Sequence, residues 1–196
     1  MHTLYNTQCI VLGGTDAGEG SKYISLFTKD IGLVRAVAKS VREEKSKLRY
    51  SLQDFSVGEA TLVRGKDVWR ITGARQIYSI NRALRSEREK LYAVVQILGL
   101  LQKLLHGEEK NDYLFNAVSF GLEFVKENKI NTDILKSFEH LIVLRILYSL
   151  GYIAKKDNFV ELLRSTQINE GLLENTLSMR KEIIFSINRA FKEAHL

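Results

Sequence analysis

The chain has 196 residues, of which 45% are hydrophobic and 27% are charged, a balance typical of globular proteins and unlike disordered or collagen-like chains. With 29 Lys and Arg against 23 Asp and Glu the net charge is +6, and the single Cys excludes an internal disulfide. The N-terminus has no basic region followed by an apolar run, and no stretch of about 18 apolar residues occurs. We therefore expect a cytoplasmic protein with neither an export signal nor a membrane span.

Short runs rich in β-branched and aromatic residues, separated by glycine-containing turns, characterise residues 1–80. The alternation predicts five strands, over residues 7–12, 22–28, 33–39, 58–64 and 67–72. Turns are predicted at residues 13–20, 30–32 and 64–67. Because closure removes exposed sheet edges, five strands in about 75 residues predict a small barrel, with the OB-fold as the leading candidate.

After residue 80 the apolar residues recur at intervals of three and four, which predicts helices. The predicted helices are one from about residue 91 to 105, and others over residues 111–127, 131–150, 158–165 and 170–194. The third is apolar on several faces, so we place it at the centre of a bundle. The predicted fold class is therefore α+β, with an N-terminal five-stranded OB-fold β-barrel over residues 1–80 and an all-α helical bundle over residues 81–196.

Positive charge is concentrated in one segment of the N-terminal half. Residues 35–49 hold six Lys and Arg against two Glu, a net charge of +4. Period two over residues 33–39 places Arg35 and Lys39 on one face of a strand and Val34 on the other. Clustered cations are typical of nucleic-acid interfaces, and charge that only maintains solubility is the alternative. The candidate DNA-binding residues are Lys22, Arg35, Lys39, Arg42, Lys45, Lys47 and Arg49.

Aromatic residues lie near these cations in the sequence. Tyr23, Phe27, Phe55 and Trp69 could supply stacking surfaces for the bases of a single strand. For Phe27, Phe55 and Trp69 the favoured interpretation is barrel core, because a small barrel needs bulky side chains to fill it.

The sequence offers no recognisable site for a cofactor, a metal or catalysis. The glycine cluster of residues 13–20 resembles a phosphate loop, but Ser21-Lys22 leads into a strand and not into a helix, so a turn is favoured. The four His lack metal-ligand spacing, and Cys9 lies in an apolar strand, where a small core residue is expected.

A hydrolase or nuclease is the remaining enzyme alternative. It would need an acidic cluster for a metal ion, whereas the candidate acids fall in separate predicted turns. These acids are Asp16, Glu19 and Asp30. We therefore predict a protein that is not an enzyme, with no cofactor and no metal.

A set of short motifs follows one order along most of the chain. They are Cys9-Ile10-Val11-Leu12, Gly18-Glu19, Leu26-Phe27-Thr28, Gly32-Leu33, Ala38-Lys39, Ser46-Lys47-Leu48, Leu52-Gln53 with Phe55, Phe138-Glu139, Leu144, Leu147 and Leu150-Gly151-Tyr152. In order and spacing these motifs resemble the RecO family of bacterial recombination mediators. The resemblance implies an OB-fold followed by a helical domain.

In function, the resemblance implies a nucleoid-associated bacterial protein that binds single- and double-stranded DNA and promotes strand annealing. Such proteins act with RecR to displace single-strand-binding protein and to load RecA. A protein-interaction scaffold and a general OB-fold module for single-stranded nucleic acid are the alternatives to a mediator.

The sequence departs from the family pattern after Gly151-Tyr152. Many members carry four cysteines there, forming a zinc site, whereas this chain continues Ala154-Lys155-Lys156-Asp157-Asn158 without a cysteine. The chain is also short for the family, so we expect a reduced C-terminal part with altered partner contacts.

Overall fold

The computed structural model describes residues 3–154 and 157–194. Five strands form a closed barrel in the order β1-β2-β3-β5-β4, with β3 and β5 parallel and the other pairs antiparallel. The strands are β1 (Leu4–Asp16), β2 (Lys22–Thr28), β3 (Gly32–Ala38), β4 (Ser56–Arg64) and β5 (Trp69–Ser79). A five-stranded sheet of this kind followed by helices confirms the predicted fold class.

The predicted turn over residues 13–16 is wrong, because β1 continues through its glycines to Asp16. The pairing with β2 shifts register between Val11 and Gly13, and Gly13 has a φ of 149°, which favours glycine. A Cβ on Gly14 would lie 2.9 Å from the backbone carbonyl oxygen of Tyr23, so only glycine lets the two strands approach this closely. The turn itself is confined to residues 17–21, where the amide of Ala17 donates to the carbonyl of Ser21.

Strand β5 is longer than the predicted strand at residues 67–72, since it pairs with β4 as far as Ser79. Two register shifts along this pairing disturb the period-two pattern after Thr72. The predicted hairpin turn at residues 64–67 is present, with the amide of Gly65 donating to the carbonyl of Val68 at 3.0 Å. Two short helices were not predicted, α1 (Leu48–Ser51) and α2 (Ile80–Ala83).

The main helices follow the predicted positions closely. They are α3 (Arg88–Leu104), α4 (Asp112–Glu127), α5 (Thr132–Ser149), α6 (Val160–Arg164) after a 3-10 turn (Asp157–Phe159), α7 (Glu170–Ser178) and α8 (Arg180–Glu193). The side chain of Asn131 accepts a hydrogen bond from the amide of Ile134 and caps α5, and Gly151 follows its end with a φ of 81°. The single helix predicted for residues 170–194 is instead two helices, which meet at Met179.

The chain divides into two compact units. The barrel unit comprises residues 1–86 and 105–112, and the helical unit comprises residues 87–104 and 113–196. The interior of the barrel is filled by apolar side chains from all five strands, including Val11, Leu26, Val34, Leu62 and Ile71. No helix among the described residues is long and apolar enough to cross a bilayer.

Helix α5 is the centre of the helical unit, as predicted, since α3, α7 and α8 pack against it. Ten of its side chains are buried, among them Leu144, Leu147 and the guanidinium of Arg145. Because α5 is buried on several faces, its sequence has apolar residues on several faces of the helix.

Candidate functional site

Strand β3 presents the charge alternation that the sequence predicts. Val34, Ala36 and Ala38 are buried in the barrel interior, whereas Arg35 is exposed on the outer side. Lys39 follows the last residue of the strand and is also exposed. A strand in a closed barrel must fill the interior with alternate residues, so the outward positions are free to carry charge.

Arg35 packs against an aromatic ring on the neighbouring strand. Its guanidinium carbon lies 4.9 Å from the centroid of the Tyr23 ring, and its Nη2 donates a 3.3 Å hydrogen bond to Thr15 Oγ1. In register, Thr15 pairs with Tyr23 and Tyr23 pairs with Val37, so these residues share the outer side of the sheet. A guanidinium over the face of a tyrosine is held there by the ring's quadrupole.

A further cation, Arg70, lies on the same side and was missed in the sequence. It is exposed, and it pairs with Val37 in the parallel contact between β3 and β5. Alternation with the buried Trp69 and Ile71 indicates its outward direction, but only barrel closure places β5 beside β3. We call the outward side of these strands the barrel face, formed by Thr15, Tyr23, Ser25, Arg35, Val37 and Arg70.

The basic segment after β3 is anchored to the barrel by two apolar side chains. Val41 and Leu52 are each 5% exposed and belong to the barrel interior. The amide of Arg42 donates to the carbonyl of Gly20 at 2.9 Å, and its Nη1 pairs with Asp16 at 3.0 Å. The segment therefore has a defined path across the end of the barrel, although sequence alone predicts only a loop.

Three of the candidate cations line one surface cavity of about 590 Å³, namely Lys22, Arg42 and Arg49. Asp16 and Asp54 also line it, so the cationic charge of this cavity is partly neutralised. The remaining wall is polar or apolar and is formed by Val41, Leu52, Gln53 and Asn81. The structure thus brings three candidate cations to one cavity, although Lys22 and Arg49 are 27 positions apart in the sequence.

The other candidates, Lys39, Lys45 and Lys47, are exposed on the anchored segment. Within the described ranges, no carboxylate lies within ion-pair distance of these three lysines. The seven predicted cations therefore fall into three groups, on the barrel face, in the cavity and on the anchored segment.

Two of the predicted aromatic residues belong to the core, which was the favoured interpretation. Phe27 is fully buried and Trp69 is 5% exposed. The indole Nε1 of Trp69 donates to Glu108 Oε1 at 2.7 Å, and its ring meets the edge of Tyr5 at 5.2 Å between centroids. Neither side chain is available for base stacking. Phe55 is half-buried, with a positive φ of 62° at the start of β4.

Two of the acids considered for a metal site, Asp16 and Asp30, make separate contacts in the structure. Asp16 pairs with Arg42, and Asp30 accepts a 2.7 Å hydrogen bond from Thr7 Oγ1. Ser21 and Lys22 lead into β2, so the glycine-rich turn has no helix behind it, as the sequence predicts. No group of three or more His, Cys, Asp or Glu among residues 3–154 and 157–194 is placed to hold a metal ion.

Cys9 is buried in the barrel, and burial together with the charge of Glu59 raises the pKa of its thiol to about 12. Because the thiolate is the reactive form, we expect native protein at pH 8 to resist labelling by a disulfide reagent such as DTNB. Unfolding in urea should make the thiol react at once. Rapid stoichiometric labelling of the native protein would contradict the buried placement.

Comparison with known proteins gives a consistent result. A family model described as recombination protein O, N-terminal, matches residues 1–80. A protein named DNA repair protein RecO from Dehalococcoides mccartyi strain CBDB1 is 32% identical over 151 residues, covering 76% of this chain and 56% of the relative. The chain belongs to the RecO family.

Two further RecO proteins show how the similarity is distributed. The protein of that name from Clostridium novyi strain NT is 30% identical over 151 residues, covering 76% of this chain and 57% of the relative. The DNA repair protein RecO of another Dehalococcoides mccartyi strain, ATCC BAA-2266, is 41% identical over 75 residues. These residues cover 38% of this chain and 30% of the relative. The chain spans about half the length of the RecO relatives that it matches over 151 residues.

Proposed function

We propose that this chain is a DNA-binding recombination mediator that acts in DNA repair without catalysis. The observation that carries the proposal is the set of exposed cations on the barrel unit, within the part of the chain that the RecO N-terminal family model matches. The relatives named DNA repair protein RecO support the same role.

The mechanism would be electrostatic. Lys and Arg side chains that neutralise phosphates release condensed counterions, which drives binding to DNA of any sequence. Two complementary strands repel each other through their phosphates, so cations shared between them lower the cost of bringing the strands together. Annealing by this route breaks and forms no covalent bond and needs no metal or cofactor.

The partners that we propose follow from the family. Acting with RecR, the protein would displace single-strand-binding protein and load RecA on single-stranded DNA at the bacterial nucleoid. Pull-down of purified RecR by this chain, with and without DNA, would test the first of these contacts. The competing hypothesis is a scaffold that binds proteins only, for which the cations supply solubility.

Binding to a labelled oligonucleotide over a salt series tests the proposal. If six phosphates are neutralised, the logarithm of the association constant should fall against the logarithm of salt with a slope of about −5 on duplex and about −4 on a single strand. Fluorescence anisotropy measures both slopes. Absence of binding at low salt would favour the scaffold hypothesis.

Two triple variants, and a control with the same change in charge, locate the DNA interface. Replacing Lys39, Lys45 and Lys47 by Gln should reduce the steepness of the slope by up to about 3 units on duplex and about 2 units on a single strand, because up to three phosphate contacts are lost. Replacing Lys22, Arg42 and Arg49 tests the cavity in the same way. The melting temperature should change little in the variant of Lys39, Lys45 and Lys47, since exposed charges alter stability by within about 0.5 kcal/mol.

The matched control replaces the exposed Arg82, Arg85 and Arg88 by Gln. Lys90 is unsuitable for this purpose, because it is buried and its Nζ donates a 2.8 Å hydrogen bond to the carbonyl of Asn128. If the control abolishes binding while the other two variants bind normally, the predicted cations between Lys22 and Arg49 are not the DNA-binding residues.

A further inference from the structure

The barrel face contains a preformed pair of an aromatic ring and a guanidinium. Tyr23 is half-buried on β2, where it pairs with Thr15 of β1 and Val37 of β3. Arg35 is exposed, and its guanidinium carbon lies 4.9 Å from the centroid of the Tyr23 ring. The hydrogen bond from Arg35 Nη2 to Thr15 Oγ1 restrains the guanidinium further. Little side-chain entropy would be lost if this pair met a ligand, because both groups are already ordered.

The barrel face also differs in charge from the other polar surfaces of the unit. None of its six residues is a carboxylate, and Arg35 and Arg70 make it positive. By contrast, the cavity near Arg42 contains Asp16 and Asp54, and a groove lined by Gln8 and Arg75 contains Asp30 and Glu59. Arg35 therefore carries a charge that a ring stabilises and that no carboxylate of the face neutralises.

We propose that Tyr23 and Arg35 form a stacking platform for an unpaired nucleobase, so that the barrel face binds single-stranded DNA in preference to duplex. The inference rests on the proposed function and adds to it a specificity-determining site. Planar bases stack on aromatic rings and on guanidinium planes, and the phosphates beside a stacked base would meet Arg35 and Arg70.

The preference for single strands follows from what each form of DNA exposes. In a duplex the faces of the bases are covered by their neighbours, so a duplex offers this surface only its phosphates. A single strand offers phosphates and unpaired bases together. Binding of a duplex would thus use the cations of the barrel unit alone, whereas binding of a single strand would gain the stacking contact as well.

The test compares a labelled oligothymidylate with an abasic oligonucleotide of equal length, which has the same phosphates and no bases. Wild-type protein should bind the oligothymidylate about fivefold more tightly or better, the range expected for one stacked base. Y23L should bring the ratio of the two affinities close to one, because the ring on which a base would stack is removed. Y23F should keep the wild-type ratio, because the ring is retained.

Arg35→Lys provides a variant at an exposed position, where folding is not at risk. It keeps the charge and loses the planar group, so the ratio should fall while the salt slope on the abasic strand is kept. Tyr92, which is 66% exposed in the helical unit, supplies the matched control Y92L, for which the ratio should not change. The fluorescence of Trp69, the single tryptophan, reports that the barrel of each variant is folded.

The outcomes separate this inference from the proposed function. A wild-type ratio near one, or a normal ratio in both Y23L and Arg35→Lys, would overturn the stacking platform even if the abasic strand binds with a steep salt slope. Loss of the ratio in Y50L alone would also overturn it, by placing the stacking contact on α1, where Tyr50 is 66% exposed. If neither oligonucleotide binds to wild-type protein, the proposed DNA-binding function fails as well.

Discussion

Replacing Arg145 by Ala is expected to destabilise the protein by about 3–5 kcal/mol, close to the loss seen when a buried charged network is broken. The guanidinium is fully buried, and it donates hydrogen bonds to three backbone carbonyls. Nε reaches Leu162 at 3.0 Å, Nη1 reaches Thr166 at 3.0 Å and Nη2 reaches Gln167 at 3.3 Å. Removing the side chain leaves these carbonyls without their donor and opens a cavity beside α5.

Urea unfolding of the variant measures the loss, and hydrogen exchange would show increased opening of residues 162–167. Arg145→Lys should be nearly as destabilising, because an ammonium cannot span three carbonyls as the planar guanidinium does.

Y113F is a control in which a single hydrogen bond to the same segment is lost. The Tyr113 hydroxyl donates one 2.9 Å hydrogen bond to the carbonyl of Leu163, so its loss should cost about 1 kcal/mol. Equal stability of Arg145→Ala and wild type would show that the segment is held by other contacts.

Leu144→Ala should destabilise the protein by about 2–5 kcal/mol, since a buried leucine loses its transfer free energy and leaves a cavity. Leu144 is fully buried on the central helix of the helical unit. Leu147→Ala should behave alike, because Leu147 is also fully buried. A loss of this size is a large share of the stability of an ordinary domain, and a fall in melting temperature should be plain in a thermal scan.

The control on the same helix is Lys136→Ala, at an exposed position, for which we expect a change within about 0.5 kcal/mol. If Leu144→Ala and Leu147→Ala also change stability by less than this amount, α5 does not carry the core of the helical unit.

Several features of this protein were determined by local sequence. The alternation of buried Val34, Ala36 and Ala38 with exposed Arg35 follows from the two-residue period of a regular strand. The boundaries of α5 follow from Asn131 and Gly151, whose cap chemistry and backbone freedom act within one turn of the helix. The concentration of cations in residues 35–49 is likewise a property of composition.

Tertiary structure decided the features that depend on which elements are neighbours. Barrel closure places β5 beside β3, and this parallel contact brings Arg70 to the side of the sheet that carries Tyr23. Burial of Val41 and Leu52 fixes the path of the basic segment, and so determines that Arg42 meets Asp16. These contacts join residues far apart in the chain, and the local pattern of hydrophobic residues contains no information on their partners.

The burial of Arg145 shows the same division most clearly. Its place between Leu144 and Ile146 is consistent with a helix, but a charged residue is ordinarily expected at the surface. It is stable in the interior only because three carbonyls, one within α6 and two just after it, converge on its guanidinium. The sequence determined that position 145 lies in a helix, whereas the fold supplied the acceptors that offset the cost of burying its charge.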